Sequence, residues 1–514
     1  MKYILVTIGV FLFANNLFAN NLALSAPVYN AETLTFTVSW DNSWNISSGP
    51  SNHDAAWVFI KRQKCTGNND WVHQLISTTV GDHSAKVSGV TSTIVSIIPS
   101  TDGVGVFIKR IGSNVVGNVT SQTITLKLAN TNPSITTTST DNFKVIGIEM
   151  VYVPQGEFYV GDGRTSSNNG AFVASGTSSP LKITNDMQNV NGLGAASNYT
   201  TSNIFGCSMP LPTTFPLGYN GFYSMKYEIL QGPFIEYLNT LTYDQQAERL
   251  KVSNAAYLPN ATPPVLFHGY TNWGSLNVYT ITNGAGTYNT KSAVFGGNYL
   301  YIPMACLNWQ DLASFLDWSG LRPMTEFEYE KSCRGNNGGV ANAPVAFEYP
   351  WGNTIINGGN AGNYIYAQWG ASVTWPVYDG ACRNWDDQGP VRPGFAATST
   401  SNRSQSGATY YGIMEMAGNV WEQCVGGGAG YDYSTFRSNT HGDGVVSSTG
   451  LANVAGWPTN GGTTSGTILK GGHFVSTSNY FQYQVSDRYY YDGSSENASN
   501  QRSRFVGGRG VRTF

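Results

Sequence analysis

The chain has 514 residues and a formal charge of −3. It is too long for one ordinary domain, and it has no basic excess to suit a nucleic-acid partner. Charged residues make up 11%, while Gly (59), Tyr (30) and Trp (13) are abundant; an average soluble protein is roughly 25% charged. This balance argues against a highly charged cytosolic enzyme surface and fits an extracellular, β- and loop-rich protein.

The first residues read as a signal peptide over 1–19. Lys2 supplies the positive charge, Ile4 to Phe13 forms a short apolar run, and Leu17-Phe18-Ala19 ends in a small residue. A membrane span needs about 20 apolar residues, so this run is too short, and no later segment is long and apolar enough. The expected location is secreted or on a bacterial cell surface. Residues 22–130 are then expected to form an all-β sandwich. Leu34 to Trp40 and Thr123 to Leu128 alternate at period two, whereas Ala56 to Ile60 is a continuous apolar run of the kind a fully buried strand shows. Val58-Phe-Ile-Lys-Arg62 is echoed by Val106-Phe-Ile-Lys-Arg110, as in two paired strands. The Ser/Thr-rich stretch Thr131 to Thr140 opens a linker expected over 131–144.

The remainder, 145–514, reads as one irregular α+β domain with few helices. Leu230 to Leu241 places Phe234, Leu238 and Leu241 on one face. Asn308 with Asp311 starts a second helix, which carries Leu312, Phe315 and Leu316 inward and stops near Gly320. Thr325-Glu-Phe-Glu328 is a capping box that opens a third. The Gly/Asn/Ser/Thr-rich stretches 166–202, 335–342 and 426–466 are long enough to be functional or tied down by partners. Six cysteines (Cys65, Cys207, Cys306, Cys333, Cys382, Cys424) show no zinc-type spacing, and disulfides and buried free thiols both remain open. The six histidines are dispersed and read as solvated or turn residues. No residue is assigned a catalytic role.

Several segments together resemble the formylglycine-generating (sulfatase-modifying factor) family. They are Glu149 to Gly161, Tyr227-Glu-Ile229, Asn308 to Asp311, Leu321 to Glu330, Tyr349-Pro-Trp-Gly-Asn353, Met416-Ala-Gly-Asn-Val-Trp-Glu422, Lys470-Gly-Gly472, Asp487-Arg488 and Gly510-Val-Arg512. The resemblance implies an irregular α+β fold related to C-type lectins. In that family a cysteine pair after the Gly-Gly turn performs a copper-dependent oxidation. Here Ser476 and Phe481 fall at those positions, and neither offers the soft donor that Cu(I) prefers. No copper is therefore expected. The resemblance also implies calcium at Asn419, Val420 (through its carbonyl) and Glu422, with a looser second group at Asn363, Tyr364 and Asp379.

The tail 473–506 carries Tyr, Ser and Asn in place of the cysteines, the side chains that serve as adaptable recognition chemistry in antibody paratopes. It resembles the variable region of proteins targeted by diversity-generating retroelements. The residues expected to bind ligand are Ser476, Ser478, Asn479, Tyr480, Tyr483, Tyr489, Tyr490, Tyr491, Asp492, Ser494, Ser495, Asn497 and Asn500. The function expected is a secreted or surface ligand-binding protein whose partner is a protein or glycan and not a nucleic acid. Its N-terminal domain would act as spacer or surface attachment. Two alternatives stay open: an oxidoreductase of the same family with an altered site, and a structural or adhesive surface component.

Overall fold

The computed structural model describes residues 21–63, 70–87, 92–129, 141–163, 171–174, 179–185, 194–195, 214–250, 279–280, 287–288, 301, 303–335, 344–355, 390, 392–394, 396–397, 401–426, 431–461, 465–474, 480–488, 502–503 and 505–513. In the N-terminal part the strands are β1 (Ala23–Leu24), β2 (Val28–Asn30), β3 (Thr33–Asn45), β4 (Asp54–Gln63), β5 (Trp71–Gln74), β6 (Ser84–Val87), β7 (Val95–Pro99), β8 (Gly105–Arg110) and β9 (Val115–Lys127). β10 (Asn142–Val153) follows. The C-terminal part contributes β11 (Phe222–Met225), β12 (Arg322–Pro323), β13 (Trp421–Val425), β14 (Thr467–Lys470), β15 (Val506–Gly507) and β16 (Gly510–Thr513).

The alternation read in Leu34 to Trp40 becomes β3, where Leu34, Phe36, Val38 and Trp40 point into the core. β3 pairs with β9 in a five-stranded sheet, which faces the second sheet across an apolar core. β4 belongs to that second sheet and is buried from Asp54 to Arg62. Ala56, Val58 and Ile60 face the sandwich core. Ala55, Trp57 and Phe59 face the other way, into a core shared with Leu312, Phe315 and Trp318. Burial on both faces explains why β4 reads as an unbroken apolar run rather than an alternating one. The echoed pentapeptides are neighbours in this sheet, with β4 antiparallel to β8 and Val58 opposite Val106.

The second sheet does not stop at the expected boundary. β10 pairs with β4 along Asn142–Val151 and, further along the strand, with β11. β11 pairs with the C-terminal strand β16, which in turn pairs with β12. One eight-stranded sheet thus spans both halves of the chain. The boundary expected at 145 falls inside β10, and 142–144 of the expected linker are strand; residues 130–140 lie outside the described residues. The reason is physical: β4 has a second apolar face, and only the C-terminal domain can cover it.

Four main helices stand among the described residues: α1 (Gln231–Asn239), α2 (Tyr243–Leu250), α3 (Trp309–Trp318) and α4 (Glu326–Arg334). Both anticipated capping boxes are present, with Asn308 accepting from the Asp311 amide and Thr325 from the Glu328 amide. Such caps each contribute about 1 kcal/mol. α2 was not anticipated, although Thr242 and Gln245 cap each other at its start, side chain to amide, at 2.9 and 3.3 Å. The stretch 426–466 is tied down where it is described. Asp317 accepts from the amides of Asp443 and Asn453 (3.2 and 3.0 Å), and Trp309 Nε1 donates to the Pro458 carbonyl at 2.5 Å. Lys61 of β4 donates to the carbonyls of Trp318 (2.7 Å) and Gly444 (2.6 Å), which joins sandwich, helix and loop.

Candidate functional site

The tail starts at a turn that only glycine can make. Gly471 and Gly472 have φ of +89° and +74°. A Cβ on Gly471 would lie 2.6 Å from the Met416 carbonyl oxygen, and one on Gly472 would lie 2.7 Å from the Tyr483 ring. The turn is held to the Met416–Glu422 segment, since the Gly418 amide donates to Gly471 O at 2.7 Å and the Phe474 amide to Asn419 O at 2.9 Å. Residues 475–479 lie outside the described residues, so Ser476, Ser478 and Asn479 have no described position. Tyr480 starts a 3-10 turn over Tyr480–Tyr483, and its side chain lies outside the description.

Tyr483 corrects the sequence reading. It is 1% exposed and packs with Tyr349, Trp351 and Ala417, and its hydroxyl donates to the His473 carbonyl at 2.7 Å. It is part of the scaffold and not of a recognition surface. Composition placed it in the tail's polar palette, but the missing side chain of Gly472 leaves room for its ring in the core.

From there the chain is locked down as far as Arg488. The Val485 amide donates to Glu348 O at 3.0 Å, and Lys470 Nζ donates to Asp487 O at 2.6 Å. Ser486 receives Arg334 Nη2 at 2.5 Å and donates to Glu330 at 3.2 Å. Arg334 also pairs with Glu330 and Glu348. Arg488 donates to Glu326 through Nε (2.7 Å) and Nη2 (2.9 Å), and its guanidinium lies 4.4 Å from the centre of the Phe172 ring. Tyr489, Tyr490, Tyr491, Asp492, Ser494, Ser495, Asn497 and Asn500 then lie outside the described residues. Description resumes at Arg502, which donates to both oxygens of Asp311, through Nε at 2.6 Å and Nη2 at 2.8 Å. The segment 489–501 is therefore bracketed by two arginine–carboxylate clamps, each closed on the first turn of a helix (α4 and α3). Sequence reading missed both clamps. The only local signal was that Arg488 and Arg502 flank the Tyr/Ser/Asn run.

The calcium reading meets a different geometry. Asn419, Val420 and Glu422 are all buried. Both carboxylate oxygens of Glu422 accept from Arg509 Nε at 2.8 and 2.7 Å, and Arg509 Nη2 is within 2.5 Å of Glu422 Oε1. Arg509 also donates to the carbonyls of Met225, Lys226, Met414 and Glu415, at 3.2, 3.2, 2.9 and 3.3 Å. A cation at Glu422 would have to displace this guanidinium, so the residues as arranged do not fit calcium. Among the described residues no group of three or more His, Cys, Asp or Glu side chains is placed to hold a metal. Asn363, Tyr364 and Asp379 lie outside them.

Cys333 and Cys424 carry free thiols and share one apolar cluster with Met324 and Ile468. Burial pushes both of those thiols up, away from the reactive thiolate. Cys65, Cys207 and Cys382 lie outside the described residues. The described histidines correct the expectation of solvated side chains in four cases. Burial lowers His53, His73, His441 and His473, and His73 bridges Lys61 Nζ (3.1 Å) and the Val104 carbonyl (2.8 Å).

The class these features define is an irregular α+β domain closed by a Gly-Gly turn and pinned by buried arginine–carboxylate pairs. A family model described as "Sulfatase-modifying factor enzyme 1-like domain" matches residues 139–514, and the chain belongs to this family. It is 28% identical over 187 residues to a formylglycine-generating enzyme of Thermomonospora curvata, covering 36% of this chain and 49% of that protein. It is 25% identical over 211 residues to the enzyme of the same name from Mus musculus, covering 40% and 48%. The chain thus spans about half the length of the curated relatives it matches. Among solved structures it is similar to the Major Tropism Determinant U1 and M1 variants. Each is 12% identical over 85% of both chains, with a TM-score of 0.24.

Proposed function

We propose that this protein is a ligand-binding protein that uses the sulfatase-modifying-factor scaffold for recognition rather than oxidation. The observation that carries this reading is the pair of clamps, Arg488–Glu326 and Arg502–Asp311, around a segment rich in Tyr, Ser and Asn. Fixed ends reduce the entropy lost when a segment orders on a partner. Tyrosine supplies contact area at low entropic cost, and Ser and Asn supply adaptable hydrogen bonds. The tail 473–506 contains no cysteine, so the thiolate chemistry of the resembled oxidase has no donor there.

On this reading the chain is exported after loss of residues 1–19 and acts outside the cell or on its surface, on a protein or glycan. Its tail belongs to the diversity-generating type, in which Asn codons of a template give rise to Tyr, Ser, Asp and Asn. The test is capture of labelled full-length protein on a glycan array and on a panel of bacterial cells. The comparison is with the Tyr489→Ala/Tyr490→Ala/Tyr491→Ala variant. Loss of the retained signal in a folded variant supports the reading, and equal signal overturns the assigned face.

A further inference from the structure

The end of the chain meets the sandwich at two histidine rings that must accept hydrogen bonds. His73 of β5 donates from Nε2 to the Val104 carbonyl at 2.8 Å, because a carbonyl can only accept. Its Nδ1 is then the acceptor, and Lys61 Nζ lies 3.1 Å from it. Lys61 also donates to the carbonyls of Trp318 and Gly444, at 2.7 and 2.6 Å, so three acceptors take the three protons of one ammonium. His441 is fixed in the same sense. Its Nε2 faces the Thr513 amide of β16 at 2.9 Å, and a backbone N–H can only donate.

Cations surround both rings. His73 faces Lys61 and Arg512, and His441 faces Arg512 and Arg322. The carboxylates of the same joint are engaged elsewhere. Asp102 pairs with Arg512 and Glu328 with Arg322, Asp317 accepts the amides of Asp443 and Asn453, and Asp443 accepts the Val445 amide. There is no slack beside His73, since a side chain on Gly444, where φ is +87°, would collide with its ring. Both rings keep partial solvent contact, so protons reach them. A proton added to the Lys61–His73 pair would set two cations 3.1 Å apart. A proton added to His441 would leave the Thr513 amide facing another N–H. Desolvation acts in the same direction and lowers both rings well below their usual 6.5.

We propose that His73 and His441 form an acid-sensitive latch, which on protonation releases the 441–444 loop and the end of β16 from β4 and α3. Below about pH 6.5 each ring gains a proton when the joint opens and lacks it when the joint is closed. Opening therefore becomes about tenfold easier per ring for each pH unit lost. Asp317 works the other way. Burial raises its carboxyl to about 7, so the closed joint holds a proton there that the open joint gives up. The balance is one proton, or about tenfold per pH unit. His53 stays outside the latch, because its partner, the Tyr223 hydroxyl at 2.8 Å, can either donate or accept. The latch does not depend on the ligand-binding reading.

Hydrogen exchange of the full chain, read by mass spectrometry and corrected for the intrinsic pH dependence of exchange, tests it. Between about pH 6.5 and 5, protection of peptides spanning 438–446 and 510–514 should fall about tenfold or more, while that of 33–45 stays level. His441→Gln places an amide oxygen where Nε2 accepts and does not titrate; its protection should stay nearly flat, since His73 and Asp317 then cancel. His73→Asn/His441→Gln should reverse the trend. Unchanged protection in the unsubstituted chain, or an equal loss in the folded variants, would overturn the latch. If the variants do not fold, the unsubstituted chain decides alone: loss confined to 438–446 and 510–514 supports the latch, and a uniform loss that includes 33–45 rejects it.

Discussion

Arg488 donates two hydrogen bonds to Glu326, at 2.7 and 2.9 Å, and both side chains are almost fully removed from solvent. Breaking a buried pair by removing one partner typically costs about 3–5 kcal/mol, because the remaining charge is left uncompensated. Arg488→Met should lower unfolding stability by about that amount. The double variant Arg488→Met/Glu326→Gln should recover much of the loss. Urea unfolding of the four proteins checks this; simple additivity of the two single effects would mean that the pair is not coupled.

The tyrosines of this tail should behave in two opposite ways. Tyr483→Ala removes a core ring and should cost about 3–5 kcal/mol of stability, as large-to-small core changes do. Alanine at Tyr489, Tyr490 and Tyr491 should leave the melting temperature nearly unchanged and weaken ligand capture by tenfold or more, the scale of about 1.4 kcal/mol or greater expected of hot spots. Melting curves and capture assays on both variants distinguish scaffold from surface.

Gly472→Ala tests the turn at the head of the tail. The backbone there has φ of +74°, and the new methyl would meet the Tyr483 ring at 2.7 Å. Left-handed backbone at a non-glycine residue costs of order 1–3 kcal/mol, and the contact adds to it. Pairing Gly472→Ala with Tyr483→Leu should relieve part of the loss. If Gly472→Ala melts like the unsubstituted chain, the described turn is wrong.

The contribution of Glu149 to stability should fall as pH rises towards 8, against the opposite slope that the buried histidines His53, His73, His441 and His473 give below about pH 6.5. Burial pushes the Glu149 carboxyl up from its usual 4.5 to about 8, opposed by Lys226. Between those values the folded chain keeps a proton that the unfolded chain has lost, so each step up in pH favours unfolding. The limiting slope for one group is about 1.4 kcal/mol per pH unit. Glu415 and Asp317, each raised to about 7 by burial, add slopes of the same sign. Glu149→Gln should flatten the dependence without removing it. Urea midpoints measured between about pH 5 and 8 give the comparison, and parallel curves for the two proteins would refute the assignment to Glu149.

Local signals carried the helices and the sandwich well. Asn308/Asp311 and Thr325/Glu328 announced their caps, and the unbroken run in β4 announced burial on both sides. α2 was legible too, since Thr242-Tyr-Asp-Gln245 has capping-box spacing, but the short polar helix behind it lacks an apolar stripe strong enough to mark it. Long-range partnerships were not legible. Nothing near Glu422 says that Arg509 will occupy its carboxylate, and nothing near Asn142 says that β10 will pair with β4. Both depend on chain closure over tens of residues, which leaves no local pattern. Composition placed Tyr483 on the surface because it groups residues by type, whereas a vacancy at Gly472 decides where that ring goes.

The two-faced burial of β4 also bears on how this protein can change over generations. A domain joined through a linker can be exchanged as a cassette; this one cannot, because each half supplies a wall of the other's interior. Removing 22–130 would leave the long edge of β10 without its ladder and bare the side chains around Leu312, Phe315 and Trp318. Any change in that wall therefore has to satisfy two interiors at once.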